Sequence, residues 1–385
     1  MSHRVAILGG GPAGATTALV LARRGLEVVV LERAAVPAAK PGECLPPQLV
    51  PLLDHLRLRD HLLTEAHRPS HGNRSSWGDA AAVEEDFLFS GYGPGFHVDR
   101  QRFEHGLADS ARRAGVDWRC GVRVTSGRRT ARGWTLTFHE GSEPHELTAD
   151  FVVDASGRQA ALAHRLGHRR IRHDRLVGVT TILEGRAIDD SFTSIEAVES
   201  GWWYTAPLNG GRLAVAYMTD SDLVNASGTK RRSGWHRQVA RLALTAERIE
   251  DCVGDLGALE DAPTLRVLPA ESSRMETISG DGWLAVGDAA VSYDPLSSYG
   301  VLSAMASGYY AAHAIFDHLR GRAHALLAYV HILEKNFQRY WRLLHEAYAR
   351  EQRWVGAPFW RRRHQVTIGT AHAPGTTAPF LSEAS

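Results

Sequence analysis

Near its start the chain reads Gly9-Gly10-Gly11-Pro12-Ala13-Gly14, preceded by the apolar run Val5-Ala6-Ile7-Leu8 and followed by Ala15 to Arg24, a stretch of helical composition. The apolar run reads as a buried strand, and strand, glycine turn and helix in that order are the fingerprint of a dinucleotide-binding unit. Gly9 permits the tight turn, Gly11 lets the backbone approach a pyrophosphate, and Gly14 lets the helix pack against the strand. The helix N-terminus then presents its amides to phosphate. The next strand is expected from Glu27 to Leu31, and Glu32 stands eighteen residues after Gly14, where a carboxylate accepts ribose hydroxyls. With Pro12, Ala13 and Arg33 beside them, these residues predict a site for ADP.

A second stretch, Gly287 to Gly300, reads GDAAVSYDPLSSYG. It follows Trp283-Leu284-Ala285-Val286, which reads as a strand, so that Gly287-Asp288 sits at a strand end with small residues behind. There the Asp288 carboxylate can reach the hydroxyls of a sugar-like chain. An apolar helix is expected from near Val301, after Pro295 and the turn holding Ser298 and Gly300. Its N-terminal amides suit the N1–C2=O edge of an isoalloxazine ring, where negative charge collects on reduction. The two stretches together predict FAD; the first alone does not separate NAD from FAD.

With these motifs in place, the chain resembles the FAD-dependent monooxygenases of the para-hydroxybenzoate hydroxylase fold, in the branch that holds flavin-dependent halogenases and geranylgeranyl reductases. Pro41-Gly42-Glu43, Asp99-Arg100-Gln101-Arg102-Phe103 and Val152-Val153-Asp154-Ala155-Ser156-Gly157-Arg158 carry the resemblance further. GECLPP from Gly42, GWWYTAP from Gly201 and RWVGAPFWRRR from Arg353 are most similar to flavoproteins of tryptophylquinone cofactor biogenesis, of the peptidyl-tryptophan hydroxylase type. The resemblance implies that Gly9, Gly11, Gly14 and Glu32 contact the ADP half and that Arg100 approaches the pyrophosphate or ribityl. It also implies that Asp288 binds the ribityl, that Pro295, Gly300 and Val301 flank the flavin ring, and that Gly42 and Glu43 form the loop beside it. Pro12, Ala13, Arg33, Val124, Gly287 and Ser298 complete the expected cofactor set.

The expected fold class is α/β with an α+β second domain: a Rossmann-like FAD-binding domain, an antiparallel-sheet substrate domain and C-terminal helices. A chain of 385 residues with 44% hydrophobic content exceeds one small domain. We expect a discontinuous FAD domain from residues 1–74, 98–178 and 272–320, and a substrate domain from 75–97 and 179–271. Strand-like runs at Trp202-Trp203-Tyr204 and Leu213 to Tyr217 suggest the sheet. Apolar and aromatic residues from Leu326 to Tyr348 recur at three or four and predict helix within a C-terminal segment, 321–366. Residues 367–385 turn to Gly, Ala, Thr and Pro without periodicity and are expected to be disordered. A net charge of +1 gives no field for nucleic acid, and no apolar run approaches a membrane span. Three scattered cysteines suggest neither a disulfide framework nor a metal site, and the expected location is cytoplasmic.

The protein's part in flavin chemistry is to position the substrate, control oxygen and exclude bulk water. Hydroxylation of an electron-rich ring, an indole free or within a peptide, through a flavin C4a-hydroperoxide is the leading expectation. Halogenation and reduction of a C=C bond stand as alternatives, and a non-catalytic flavoprotein partner stands behind them. Related halogenases carry a lysine beyond the Gly-Glu loop, whereas here no lysine lies between Lys40 and Lys230. They also carry WxWxIP, of which only Trp202 and Pro207 remain. Trp202, Trp203, Tyr204 and Tyr299 are candidate walls for an aromatic substrate, although opposite pleat faces allow only one of Trp202 and Trp203 to face a cavity. Glu43 is the candidate acid or base near the ring, and Cys44 beside it reads most simply as a small packed residue. No second glycine fingerprint in strand-helix context is present, so electrons are expected from visiting NAD(P)H or from reduced flavin made by a partner reductase, with molecular oxygen as co-substrate.

Overall fold

The computed structural model describes residues 3–36, 40–64, 66–260 and 264–365. In chain order the principal elements are β1 Arg4–Leu8, α1 Pro12–Arg23, β2 Glu27–Glu32, β3 Gly72–Ser76 and β4 Val83–Asp86, then α2 Arg100–Arg113, β5 Asp117–Cys120 and β6 Phe151–Asp154. There follow β7 Leu176–Glu184, β8 Phe192–Val198, β9 Gly201–Leu208, β10 Arg212–Asp220, β11 Arg266–Pro269 and β12 Trp283–Ala285. Three helices close the described chain: α3 Gly300–Leu319, α4 Ala325–Ala349 and α5 Pro358–His364.

β1 is buried at Val5 through Leu8 and pairs in parallel with β2 on one side and β6 on the other. β5 extends this sheet beyond β2 and β12 extends it beyond β6, both in parallel. An apolar run at the sheet centre is what a strand covered on both faces requires. α1 starts with Pro12 in its first turn and lies against α3: Thr17 Oγ1 bonds the Gly308 carbonyl at 3.2 Å. A Cβ on Gly308 would fall 2.4 Å from the Ala13 carbonyl oxygen, so glycine permits this helix crossing.

Among the described residues the second large sheet has seven strands in the order β11-β7-β10-β9-β8-β3-β4. It is antiparallel as expected except at one joint, where β3 pairs with β8 in parallel. β3 arrives from a connection more than a hundred residues earlier in the chain, so it is not bound to the hairpin direction of its neighbour. It crosses the boundary expected between residues 74 and 75.

The pleat settles the tryptophan pair. Trp203 faces a separate core with Tyr217 and Trp235, under the helices at Arg232–Val239 and Leu244–Val253. Trp202 faces the opposite way. α4 is the predicted seam, and it buries Leu326, Leu333, Phe337, Tyr340, Leu344 and Tyr348. The tail expected from residue 367 lies outside the described residues. No helix among the described residues is long and apolar enough to cross a membrane.

Candidate functional site

A cleft of about 730 Å³ runs from the C-terminal ends of β1 and β2 to the inner face of the seven-stranded sheet. Ligands of open parallel sheets bind at strand C-terminal ends, and the volume is that of a ligand site. Of the residues expected from sequence, Gly9, Gly11, Pro12, Ala13, Glu32, Arg33, Gly42, Glu43, Arg100, Val124, Tyr204, Asp288, Pro295, Ser298, Gly300 and Val301 line it.

At one end Gly9 has φ +112°, and a Cβ there would lie 2.4 Å from the Ala155 carbonyl oxygen. A Cβ on Gly11 would meet nothing within 4 Å, so the backbone is open to the cleft. α1 begins here with no side-chain cap and no acidic residue in its first turn, which leaves its amides for an anion. Glu32 accepts the Gly10 amide at 2.6 Å and the Ala34 amide at 2.7 Å, and these bonds fix its carboxylate at the rim. Gly14 and Gly287 do not line the cleft. A Cβ on Gly14 would lie 2.0 Å from the Gly9 carbonyl oxygen, and one on Gly287 would lie 2.8 Å from the Ala13 methyl, so both are points of close packing behind it.

In the middle, Arg100 donates to the carbonyls of Pro41 and Gly42 at 2.7 and 3.2 Å and pairs with Glu104 at 2.6 Å. Glu104 is buried, and Lys40 holds its other oxygen at 2.7 Å. Asp288 stands 3.6 Å from the Arg158 guanidinium, and Arg170 donates to the Asp288 carbonyl at 2.9 Å. Burial within the walls pushes the Asp288 carboxyl above its ordinary value, against the pull of Arg158, Arg170 and Arg100. Hydroxyl donors from a sugar chain are the partners such a carboxylate lacks. Open glycine backbone, uncapped helix amides and this carboxylate therefore fit pyrophosphate and ribityl.

The far end is shaped by the turn Pro295–Ser297 and the start of α3. Asp294 caps the turn by accepting the Leu296 amide at 2.9 Å, and Ser298 takes φ +53° before the helix. Tyr348 donates to Asp294 at 2.8 Å, Trp202 Nε1 donates to Tyr348 at 3.1 Å, and the Asp294 amide donates to Tyr340 at 2.7 Å. Trp202 is thus not brought to the cleft. It shares the Tyr204 face of β9, but Trp77 and Tyr348 cover it. Tyr299 is also outside, packed half-buried on the core at the foot of α3.

Glu43, Cys44 and Tyr204 line the same cleft, close enough for the first two to act on the Tyr204 phenol. Glu43 is 6% exposed and accepts the Gly42 amide at 2.9 Å; burial raises its pKa while the backbone amides and Arg100 oppose the rise. Thr193 donates to Cys44 Sγ at 3.5 Å, and burial pushes the thiol up to about 11. The Tyr204 phenol is raised well above 10 by burial, with Cys44 and Glu43 adding to the rise. Gly178, Thr180, Ala216 and Met218 from β7 and β10, with Leu268 to Ala270, form the remaining wall. Sequence reasoning passed over these, and over Tyr293. Tyr293 and Arg158 both lay in motifs already quoted, and those motifs were the readable signal.

A model of the FAD binding domain matches residues 2–339. LodB of Marinomonas mediterranea, described as an FAD-dependent oxidoreductase, is 32% identical over 94% of this chain and 97% of its own length. Among solved structures, the flavin-dependent halogenase CmlS superposes with a TM-score of 0.82 at 26% identity over 95% of this chain and 68% of its own. The peptidyl tryptophan dihydroxylase QhpG, essential for tryptophylquinone cofactor biogenesis, does so with a TM-score of 0.78 at 29% identity over 94% of this chain and 79% of its own. The chain belongs to the FAD-binding-domain family, as an FAD-dependent oxidoreductase of its halogenase-like monooxygenase branch.

Proposed function

We propose that this enzyme hydroxylates the ring of an indole, presented as a tryptophan within a polypeptide. The observation that carries the reading is that Glu43, Cys44 and Tyr204 line the cleft together, with Glu43 almost fully buried. FAD, bound along the cleft, supplies the activation of molecular oxygen, with electrons from visiting NAD(P)H or from flavin reduced by a partner enzyme. Gly9, Gly11, Glu32 and Arg100 hold its nucleotide half in this reading, and Asp288 holds the sugar chain. The separated stretches around β1, β6 and β12 act as the cofactor body and the seven-stranded sheet as the substrate wall.

The Tyr204 ring gives the indole a flat surface, and its phenol stays protonated and able to donate. Glu43 takes the proton that leaves the ring carbon, a role suited to a carboxylate whose affinity for protons is raised. The Cys44 thiol stays un-ionised at neutral pH and packs. QhpG, a structural relative, acts on peptidyl tryptophan, and that supports the substrate class proposed here.

Halogenation is the second reading, favoured by Lys40, the one lysine among the described residues that line the cleft. Against it, Lys40 is paired with Glu104 at 2.7 Å. The deciding experiment is mass spectrometry of free indoles and tryptophan-containing peptides after incubation with enzyme, reduced FAD, oxygen and bromide. Gain of oxygen is expected; gain of bromine would establish the second reading, and turnover without oxygen would sink both.

A further inference from the structure

β4 is the last strand of the seven-stranded sheet among the described residues. One side pairs with β3, from Gly72 opposite Asp86 to Ser75 opposite Val83, and all four of its residues are exposed. The turn Phe87–Ser90 follows directly and leaves Leu88 79% and Phe89 87% exposed. A sheet edge presents backbone donors and acceptors that a further strand satisfies. Large apolar side chains left in water beside such an edge add nothing to packing and mark an interaction surface.

The charges of the edge select its occupant. Val83-Glu84-Glu85-Asp86 carries three carboxylates; Arg74 pairs with Glu84 at 2.8 Å, and Asp86 accepts the Leu88 amide at 2.7 Å. A second copy laid against this edge would set acid against acid, which is unfavourable for cross-strand pairs. A strand with lysine or arginine facing Glu85, and apolar residues to cover Leu88 and Phe89, is complementary.

The edge also connects to the cleft. The Phe87 amide donates to the His71 carbonyl at 2.7 Å, and the Phe87 ring lies 3.4 Å from where a Gly95 Cβ would be. Gly95–His97 in turn pairs antiparallel with Cys44–Leu45, next to Glu43. Between β4 and β9, the strand of Tyr204, stand only β3 and β8. A strand added outside β4 would therefore lie about 19 Å from β9, at ~4.8 Å per strand, a gap that about six extended residues span.

We propose that β4 and the Leu88-Phe89 turn dock an extended segment of the substrate polypeptide in which basic and apolar residues alternate. The tryptophan that enters the cleft then lies six or more residues from that segment. This rests on the peptidyl-tryptophan reading above.

The test uses the full-length, FAD-loaded protein and fluorescent alternating Lys-Val and Glu-Val peptides, read by anisotropy. The Lys-Val peptide should bind at least about tenfold more tightly, and Glu85→Lys and Phe89→Ser should each remove most of that preference. FAD content and thermal midpoint should stay unchanged, since both side chains are exposed. Equal binding of the two peptides, binding indifferent to both substitutions, no binding, or self-association lost in Phe89→Ser would each overturn the dock. Versions of the Lys-Val peptide with tryptophan two or eight residues away separate the two proposals. Oxygen should enter only the longer spacing. Edge-dependent binding with no oxygen insertion at either spacing would overturn the reaction and spare the dock, whereas insertion unaffected by both substitutions would do the reverse.

Discussion

The hydroxyl of Tyr348 donates to Asp294 at 2.8 Å, and through this bond the long C-terminal helix α4 holds the turn that shapes the far end of the cleft. Both residues are buried, at 2% and 1% exposure. Burial raises the Asp294 carboxyl to about 7, with Asp174 adding to the rise and the Leu296 amide and Arg363 opposing it.

A carboxyl whose folded pKa is raised binds more protons folded than unfolded, so its contribution to stability is full below about pH 4 and is lost as pH rises to about 7. Asp294→Asn should remove that slope. The variant should gain on the wild type with rising pH, by about 4 kcal/mol from below pH 4 to above pH 7 and by roughly 2–3 kcal/mol of that between pH 5 and 8. Thermal midpoints of both proteins between pH 5 and 8 check this; parallel curves would show that Asp294 does not titrate there.

Asp288→Ala should weaken FAD binding by roughly 10- to 100-fold, the scale of a hydrogen bond to a charged group. Titration of apo protein with FAD, followed by flavin fluorescence, measures it. A change under about twofold would move the sugar-chain site elsewhere.

Glu43→Gln should keep FAD and lower turnover by about 10²- to 10⁴-fold, the range for a positioned acid or base. In the wild type the rate should fall as pH drops through the raised Glu43 pKa, above the ordinary carboxylate range. That acid limb should vanish in the variant, and its persistence would remove Glu43 from the proton's path.

Iodoacetamide should modify Cys44 slowly at neutral pH, with a rate that climbs about tenfold per pH unit toward about 11, because the thiolate is the nucleophile. Cys44→Ser should keep turnover within a few-fold. Fast labelling near pH 7 would contradict the buried, un-ionised thiol.

Signals confined to one short segment were readable. The strand, glycine turn and helix around Gly9 to Gly14 need only local geometry, and the alternation of β9 separates Trp202 from Trp203 on pleat grounds alone. Neither meets the cleft: Trp203 turns to the core with Tyr217 and Trp235, and Trp202 is covered by Trp77 and Tyr348, each more than a hundred residues away. Tyr299 failed likewise, because the turn through Ser298 sets it against the core. The wall made by Gly178, Thr180, Met218 and Leu268 carries no motif, since it is a surface assembled from three strands of β-sheet pairing.

The parallel strands β1 and β2 lie between Arg4 and Glu32 and β12 lies beyond residue 280, and Asp288, Ser298 and Gly300 come later still. A nascent chain that has exposed its glycine turn therefore holds a half-built crevice until β12 and the Asp288 turn have followed. Sheet partners so distant in sequence close slowly. A chain stopped before β12 would lack Asp288 and the start of α3, and with them one whole side of the crevice.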